Sequence, residues 1–100
     1  LFKKMKSSAV LINTSRGAIV KEADLIDALE AGYLAGVGLD VFENEVGGLD
    51  PRFLALPNAV LTPHVAWNTG EATLAIHEEV TSNVLRFLRG ERPESIVNGL

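Results

Sequence analysis

The sequence predicts an α/β fold: a parallel sheet of about three strands with flanking helices. Three observations carry that expectation. Three short apolar runs of strand length punctuate the chain, at Ala9–Ile12, Leu34–Val41 and Ala59–Thr62. Continuous runs, rather than alternating ones, suit parallel strands covered on both faces. Segments with apolar residues at helical spacing separate or follow them, and alternation of the two kinds of segment argues for a parallel sheet.

Taken in order, Ala9-Val10-Leu11-Ile12 is the first strand, and polar Asn13-Thr14-Ser15-Arg16-Gly17 follows at once. Lys21 to Ala31 reads as a helix. Val20, Ala23, Ile26, Ala28 and Leu29 recur near helical spacing, Leu25 widens the stripe, and Glu22 and Asp24 lie early, where the helix dipole favours anions. Gly32 is a natural stop just past its end. Leu34 to Val41 is a second buried strand, with Gly36 and Gly38 on one face, which implies that something packs close there.

Asp40-Val41-Phe42-Glu43-Asn44-Glu45 closes that strand, and Gly47, Gly48, Asp50, Pro51 and Pro57 mark a loop without a clear helix. Ala59 to Thr62 is the third strand, ended by Pro63 and His64. Thr69 or Asn68 can cap a long helix from about Gly70 to Leu88, along which Ala72, Ile76, Val80, Val84 and Leu88 keep i, i+4 spacing. Gly90 ends it, and residues 93–100 read as an irregular tail after a domain of residues 1–92.

Composition narrows the function. Of 100 residues, 47% are apolar and 22% charged, an ordinary globular balance. The net charge is −4 and the basic residues are scattered, so no surface tracks phosphates and nucleic acid is set aside. No apolar run approaches the roughly 18 residues of a membrane span. The absence of Cys removes disulfides and thiolate metal sites and fits a reducing, cytoplasmic setting. Two distant histidines make no metal signature. The lack of an initiator Met, and a basic start that reads like the end of a helix, point to a fragment.

Three polar clusters share one structural address, just past the C-terminal end of a strand. Parallel strands present those ends on one sheet edge, where chemistry in open α/β sheets sits. Arg16 offers a planar fork of donors matched to a carboxylate, though it reads as well as a loop arginine pairing with Asp40 or solvent. His64 suits proton transfer near neutral pH, or is a hydrogen-bonded structural histidine. His77 sits mid-helix beside Glu78 and Glu79 and reads as structural or solvated. Glu43 and Glu45 are both candidate partners for His64, since a carboxylate stabilises an imidazolium and orients the ring; chemistry alone does not choose between them. Asp40 can accept from an amide such as a nicotinamide carboxamide, or hold backbone amides of a neighbouring loop. No G-x-S-x-G, G-x-x-x-x-G-K-[ST] or G-x-G-x-x-G before a helix is present.

Leu11-Ile12-Asn13-Thr14-Ser15-Arg16-Gly17-Ala18-Ile19-Val20, Gly36-Val37-Gly38-Leu39-Asp40-Val41-Phe42-Glu43-Asn44-Glu45 and Leu61-Thr62-Pro63-His64-Val65-Ala66 stand in this order. Together they resemble the signatures of the D-isomer-specific 2-hydroxyacid dehydrogenases, over roughly Leu1 to Val97. The resemblance implies the C-terminal half of a doubly wound, Rossmann-like dinucleotide-binding domain. It implies Arg16 as the arginine that holds the substrate carboxylate and carbonyl, His64 as the general acid/base and Glu45, rather than Glu43, as its partner. Thr14, Ser15, Arg16 and Asp40, with His64, Val65, Ala66 and Trp67, are the implied cofactor contacts. The implied reaction is reversible hydride transfer between NAD or NADP and a small 2-oxo acid, giving a D-2-hydroxy acid, with glyoxylate and hydroxypyruvate as plausible substrates. Homodimerisation through the cofactor domain is usual in the family.

Departures are few. Val46 stands where Pro often follows Glu-x-Glu, with Gly47-Gly48 beyond it, and Lys21 stands where an acidic residue is common. The Gly-rich fingerprint and a separate substrate domain are not in the sequence, so turnover by these residues alone is not expected. A non-catalytic, corepressor-like relative with the same Arg, Glu and His set is the alternative reading.

Overall fold

The computed structural model describes residues 1–97. The last residues of the expected tail, 98–100, lie outside that range. The described chain divides into two compact units, Leu1–Ala66 and one that begins at Trp67.

The first unit is built on a parallel sheet of order β1-β2-β3, with β1 at Val10–Asn13, β2 at Gly36–Leu39 and β3 at Ala59–Leu61. The α/β expectation therefore holds. Val10 pairs with Gly36 and Asn13 with Leu39, while Val37 pairs with Ala59 and Leu39 with Leu61. All three strands point the same way, so their C-terminal ends share one edge. The second strand is shorter than its apolar run. Leu34 and Val41 are buried beyond its ends, so the run reports burial rather than ladder length.

The register sorts the sheet into two faces. Leu11, Val37, Leu39, Ala59 and Leu61 face the core, where Val37 and Leu39 are buried. Helix α1, Glu22–Glu30, lays Leu25, Ile26 and Leu29 on that side. Its acidic residues Glu22 and Asp24 lie in the first turn, and Gly32 ends it at φ +72°, while the Tyr33 N–H bonds back to the Ala28 carbonyl. The opposite face carries Val10, Ile12 and Val60, all exposed, with the two strand glycines between them. At Gly36 a Cβ would sit 2.9 Å from the Asn58 carbonyl oxygen, the close approach expected of a strand glycine. At Gly38 it would meet only the Ile12 side chain, at 3.7 Å.

The expected structureless loop holds one short helix, α2, at Arg52–Ala55. The Asp50 carboxylate accepts from the Arg52 N–H at 2.9 Å and pairs with its guanidinium, which also reaches Asp27 at 3.0 Å. This turn drives Phe53 into the core at 1% exposure, edge-on to Phe42 with ring centroids 6.3 Å apart. The Asp50-Pro51 pair was the available signal, since proline is favoured where a helix begins.

In the second unit, α3 spans Gly70–Leu88, as its periodicity predicts, and Thr69 caps it by accepting from the Ala72 N–H at 3.1 Å. No residue of α3 is buried. Glu94 folds the following segment back on the helix end: its backbone N–H bonds Asn83 and its carboxylate pairs with Arg86. Among the described residues no helix is long and apolar enough to cross a membrane, and no cluster of His, Asp and Glu could hold a metal ion.

Candidate active site

The three polar clusters do meet at the C-terminal edge of the sheet, each held by a different device. After β1, Asn13 is buried at 7% exposure and braces the turn that carries Arg16. Its amide donates to the Arg16 carbonyl at 2.9 Å, and its side-chain oxygen accepts from the Ser15 N–H at 3.1 Å. Asparagine commonly bonds backbone two residues on, so Asn13 was findable, but sequence reading passed over it. Thr14, Ser15 and Arg16 are exposed on the outside of this turn. One arm of the Arg16 guanidinium bonds the Ser15 carbonyl at 2.7 Å.

Gly17 follows, buried, and packs directly on the backbone of the next cluster. A Cβ there would fall 2.0 Å from the Phe42 carbonyl carbon and oxygen and 2.5 Å from the Glu43 nitrogen. Glycine is needed here for approach rather than for an unusual φ. The turns after β1 and β2 are thereby pressed together.

After β2, Asp40 points inward and is 3% exposed. Its carboxylate accepts from the Thr62 hydroxyl, from the Val65 N–H at 2.9 Å and from the Ala66 N–H at 2.8 Å. Of the two roles open to it from sequence, this geometry shows the holding of a neighbouring loop. Burial pushes the carboxyl pKa up, but the bonds from Thr62, Ala66 and Val65, with the charge of His64, outweigh it; the pKa lies below the usual value.

The loop it holds carries His64, whose backbone adopts φ 56°, a left-handed conformation that costs a non-glycine residue free energy. With His64 so turned, the two following N–H groups both meet Asp40. The imidazole Nδ1 lies 3.0 Å from a Glu45 carboxylate oxygen. An ionised carboxylate only accepts, so Nδ1 carries the proton of this bond. The bond to His64 is the main cause that lowers the Glu45 pKa. Desolvation opposes it, while the Phe42 N–H, the His64 charge and, last, the Arg16 charge add to it. Arg16 is thus near enough to be felt electrostatically at Glu45. Glu43 turns elsewhere: its N–H donates to the Glu22 carboxylate at 2.6 Å.

Phe42, Leu49, Leu61 and Pro63 wall a cleft of about 490 Å³ that also reaches Asn44, Glu45, Thr62 and His64. This size and a mostly apolar lining with a few polar groups suit a small ligand. Trp67, an expected pocket residue, belongs to the second unit and is 53% exposed. His77 lies within α3, as the sequence placed it.

Known proteins resemble this chain in sequence and fold. The family described as D-isomer specific 2-hydroxyacid dehydrogenase, NAD binding domain, matches residues 1–66. A glyoxylate reductase of Korarchaeum cryptofilum is 45% identical over 96 residues, covering 96% of this chain and 29% of that protein. Among solved structures, the NAD-complexed D-isomer specific 2-hydroxyacid dehydrogenase of Lactobacillus delbrueckii ssp. bulgaricus superposes with a TM-score of 0.79 at 36% identity, over 97% of this chain and 33% of that one. The NADPH-dependent glyoxylate/hydroxypyruvate reductase of Sinorhizobium meliloti gives 0.76 at 39% identity, over 87% and 28%. The chain therefore spans about a third or less of the length of these relatives. Fold, motif order and these likenesses agree: the chain belongs to the D-isomer specific 2-hydroxyacid dehydrogenase family, within its NAD-binding domain.

Proposed function

We propose that these residues form the proton-transfer and substrate-anchoring part of an NAD- or NADP-dependent oxidoreductase that reduces small 2-oxo acids, glyoxylate or hydroxypyruvate among them, to D-2-hydroxy acids. The observation that carries the reading is the His64–Glu45 bond at 3.0 Å, on the same sheet edge as Arg16.

The residues present fit the nicotinamide end of the cofactor. The cleft opens at the C-terminal strand edge, its walls are apolar enough to receive a flat ring, and Asp40 fixes the Val65 and Ala66 backbone of the segment proposed to contact it. Thr14, Ser15, Arg16 and the segment from His64 to Trp67 complete the proposed contacts. The bound nicotinamide supplies or accepts the hydride.

The chain's own residues do the rest. Arg16 presents two parallel donors to the substrate carboxylate and carbonyl, which fixes the carbonyl carbon and polarises it. His64, protonated, gives the Nε2 proton to the carbonyl oxygen as negative charge develops there, and takes it back in the reverse direction. Glu45 bonds Nδ1 throughout, so the ring keeps one orientation, with Nε2 turned to the substrate.

The test is kinetic, in the complete protein that carries this chain. His64→Ala lowers turnover of glyoxylate or hydroxypyruvate by about 10²- to 10⁴-fold, a far larger effect than any it has on NADH binding. Unaltered turnover would end the proton-donor role, and a protein that binds NADH yet reduces no member of a broad 2-oxo acid panel would favour a corepressor-like relative. The 100-residue chain by itself is expected not to oxidise NADH with glyoxylate, hydroxypyruvate or pyruvate.

A further inference from the structure

We propose that Glu22, at the start of α1, is a positioning residue for the Glu45–His64 pair. The proposal rests on the functional reading above only in the importance it gives to that pair; the geometry stands apart from it.

The peptide that joins Phe42 to Glu43 is gripped from two directions. Gly17 lies against it so closely that no Cβ could be accommodated. The Glu22 carboxylate accepts the Glu43 N–H at 2.6 Å, across 21 residues of sequence. Two residues on, Glu45 sends one carboxylate oxygen to His64 Nδ1 and the other toward the Phe42 N–H at 3.4 Å. The turn from Glu43 to Gly48 is exposed. Asn44 organises it internally, its side chain accepting from the Gly47 N–H at 2.8 Å and its carbonyl from the Gly48 N–H at 3.2 Å. Such a turn keeps its own shape yet can pivot about its entry peptide. Glu22 fixes the pivot. A charge-assisted bond is stronger than a neutral one, and here it anchors a turn to a helix that is itself seated in the core.

A carboxylate in the first turn of a helix also stabilises that helix through its dipole. The two roles separate by reach against charge. Glu22→Asp keeps the charge but shortens the side chain by one methylene, so it cannot reach Glu43. Glu22→Gln keeps the length and an accepting oxygen but loses the charge.

Two readouts report on the turn without any turnover: exchange of the Glu43 amide proton, and the titration of the Glu45 carboxyl followed by carbon-detected NMR. Expected for Glu22→Asp are at least about tenfold faster Glu43 exchange, since a charge-assisted bond is lost, and a Glu45 carboxyl that titrates nearer its ordinary value. Glu22→Gln, which keeps the reach but makes only a neutral bond, should be perturbed less than Glu22→Asp in both. The reverse order, with Asp silent and Gln perturbed, would show that only the helix charge matters and would overturn the proposal; so would two silent variants. Far-UV circular dichroism confirms that both variants fold. The outcome is read independently of the His64→Ala kinetics, so a failed positioning role and a failed catalytic reading are told apart.

Discussion

Replacing Gly17 by alanine tests how tightly the turns after β1 and β2 are joined. The new Cβ would lie 2.0 Å from Phe42 backbone atoms, where real Cβ atoms do not come under 3.0 Å, so the turns must part by about 1 Å. Both sides of this contact are backbone, and no side chain can swing away. Overpacking of this kind costs ~1–3 kcal/mol, and rigid neighbours put it at the upper end. For a domain of this size each kcal/mol lowers the melting temperature by about 4–8 °C, so a fall of roughly 10–20 °C is expected. The same displacement moves Arg16 relative to Glu45 and His64. Misplacement by an ångström can cost about 10²-fold in rate, so kcat/KM of the complete enzyme should fall by that order. The assays are a thermal melt of the variant and steady-state reduction of glyoxylate. A Gly17→Ala protein that melts within about 2 °C of its parent and retains kcat/KM would refute the reasoning, because it would mean the turns can separate freely.

Acid should loosen the site in a defined direction. The folded-state pKa of Glu45 is lowered, chiefly by the His64 bond, so its stabilising contribution is complete above the ordinary carboxyl value of about 4.3 and is lost as pH falls through the lower folded value. The stability advantage over Glu45→Gln, measured by urea unfolding, should be flat above about pH 5 and shrink below about pH 4. Asp40 follows the same sign, its folded pKa also being lowered. In the core, Phe53→Ala removes a side chain that is 1% exposed and should cost about 3–5 kcal/mol, read from the urea midpoint of the same transition.

Much of this was legible in the sequence because it is local. Strands announce themselves as apolar runs, and polar residues placed at once after each run must lie at one sheet edge if the strands are parallel. Thr69 and Gly32 are readable for the same reason, since a cap or a stop depends on neighbours in sequence. What stayed hidden depends on contacts between distant segments. The reach of Glu22 to Glu43 spans 21 residues and that of Asp40 to Ala66 spans 26. Asp40 had two roles of equal standing until three donors were found around it. Gly17 read as one more loop glycine until a backbone was found pressed against it. The short helix at Arg52–Ala55 lacks the length over which helical periodicity can be seen, and its single buried ring gives no pattern. In contrast, the choice of Glu45 over Glu43 came from the motif and agrees with the geometry, in which Glu45 meets His64 and Glu43 offers its backbone to Glu22.

The left-handed backbone at His64 sets two demands against each other at one position. A φ of 56° suits glycine, and every other residue is strained there by roughly a kcal/mol or more. Yet that turn aims the Val65 and Ala66 amides at Asp40 and lifts the imidazole to Glu45. Glycine would relax the backbone by removing the Cβ, but it would also remove the ring that the proposed proton transfer needs. Stability and activity therefore have different optima at this residue. Under the proposed proton-donor role, selection for turnover keeps a histidine where selection for stability alone would favour glycine.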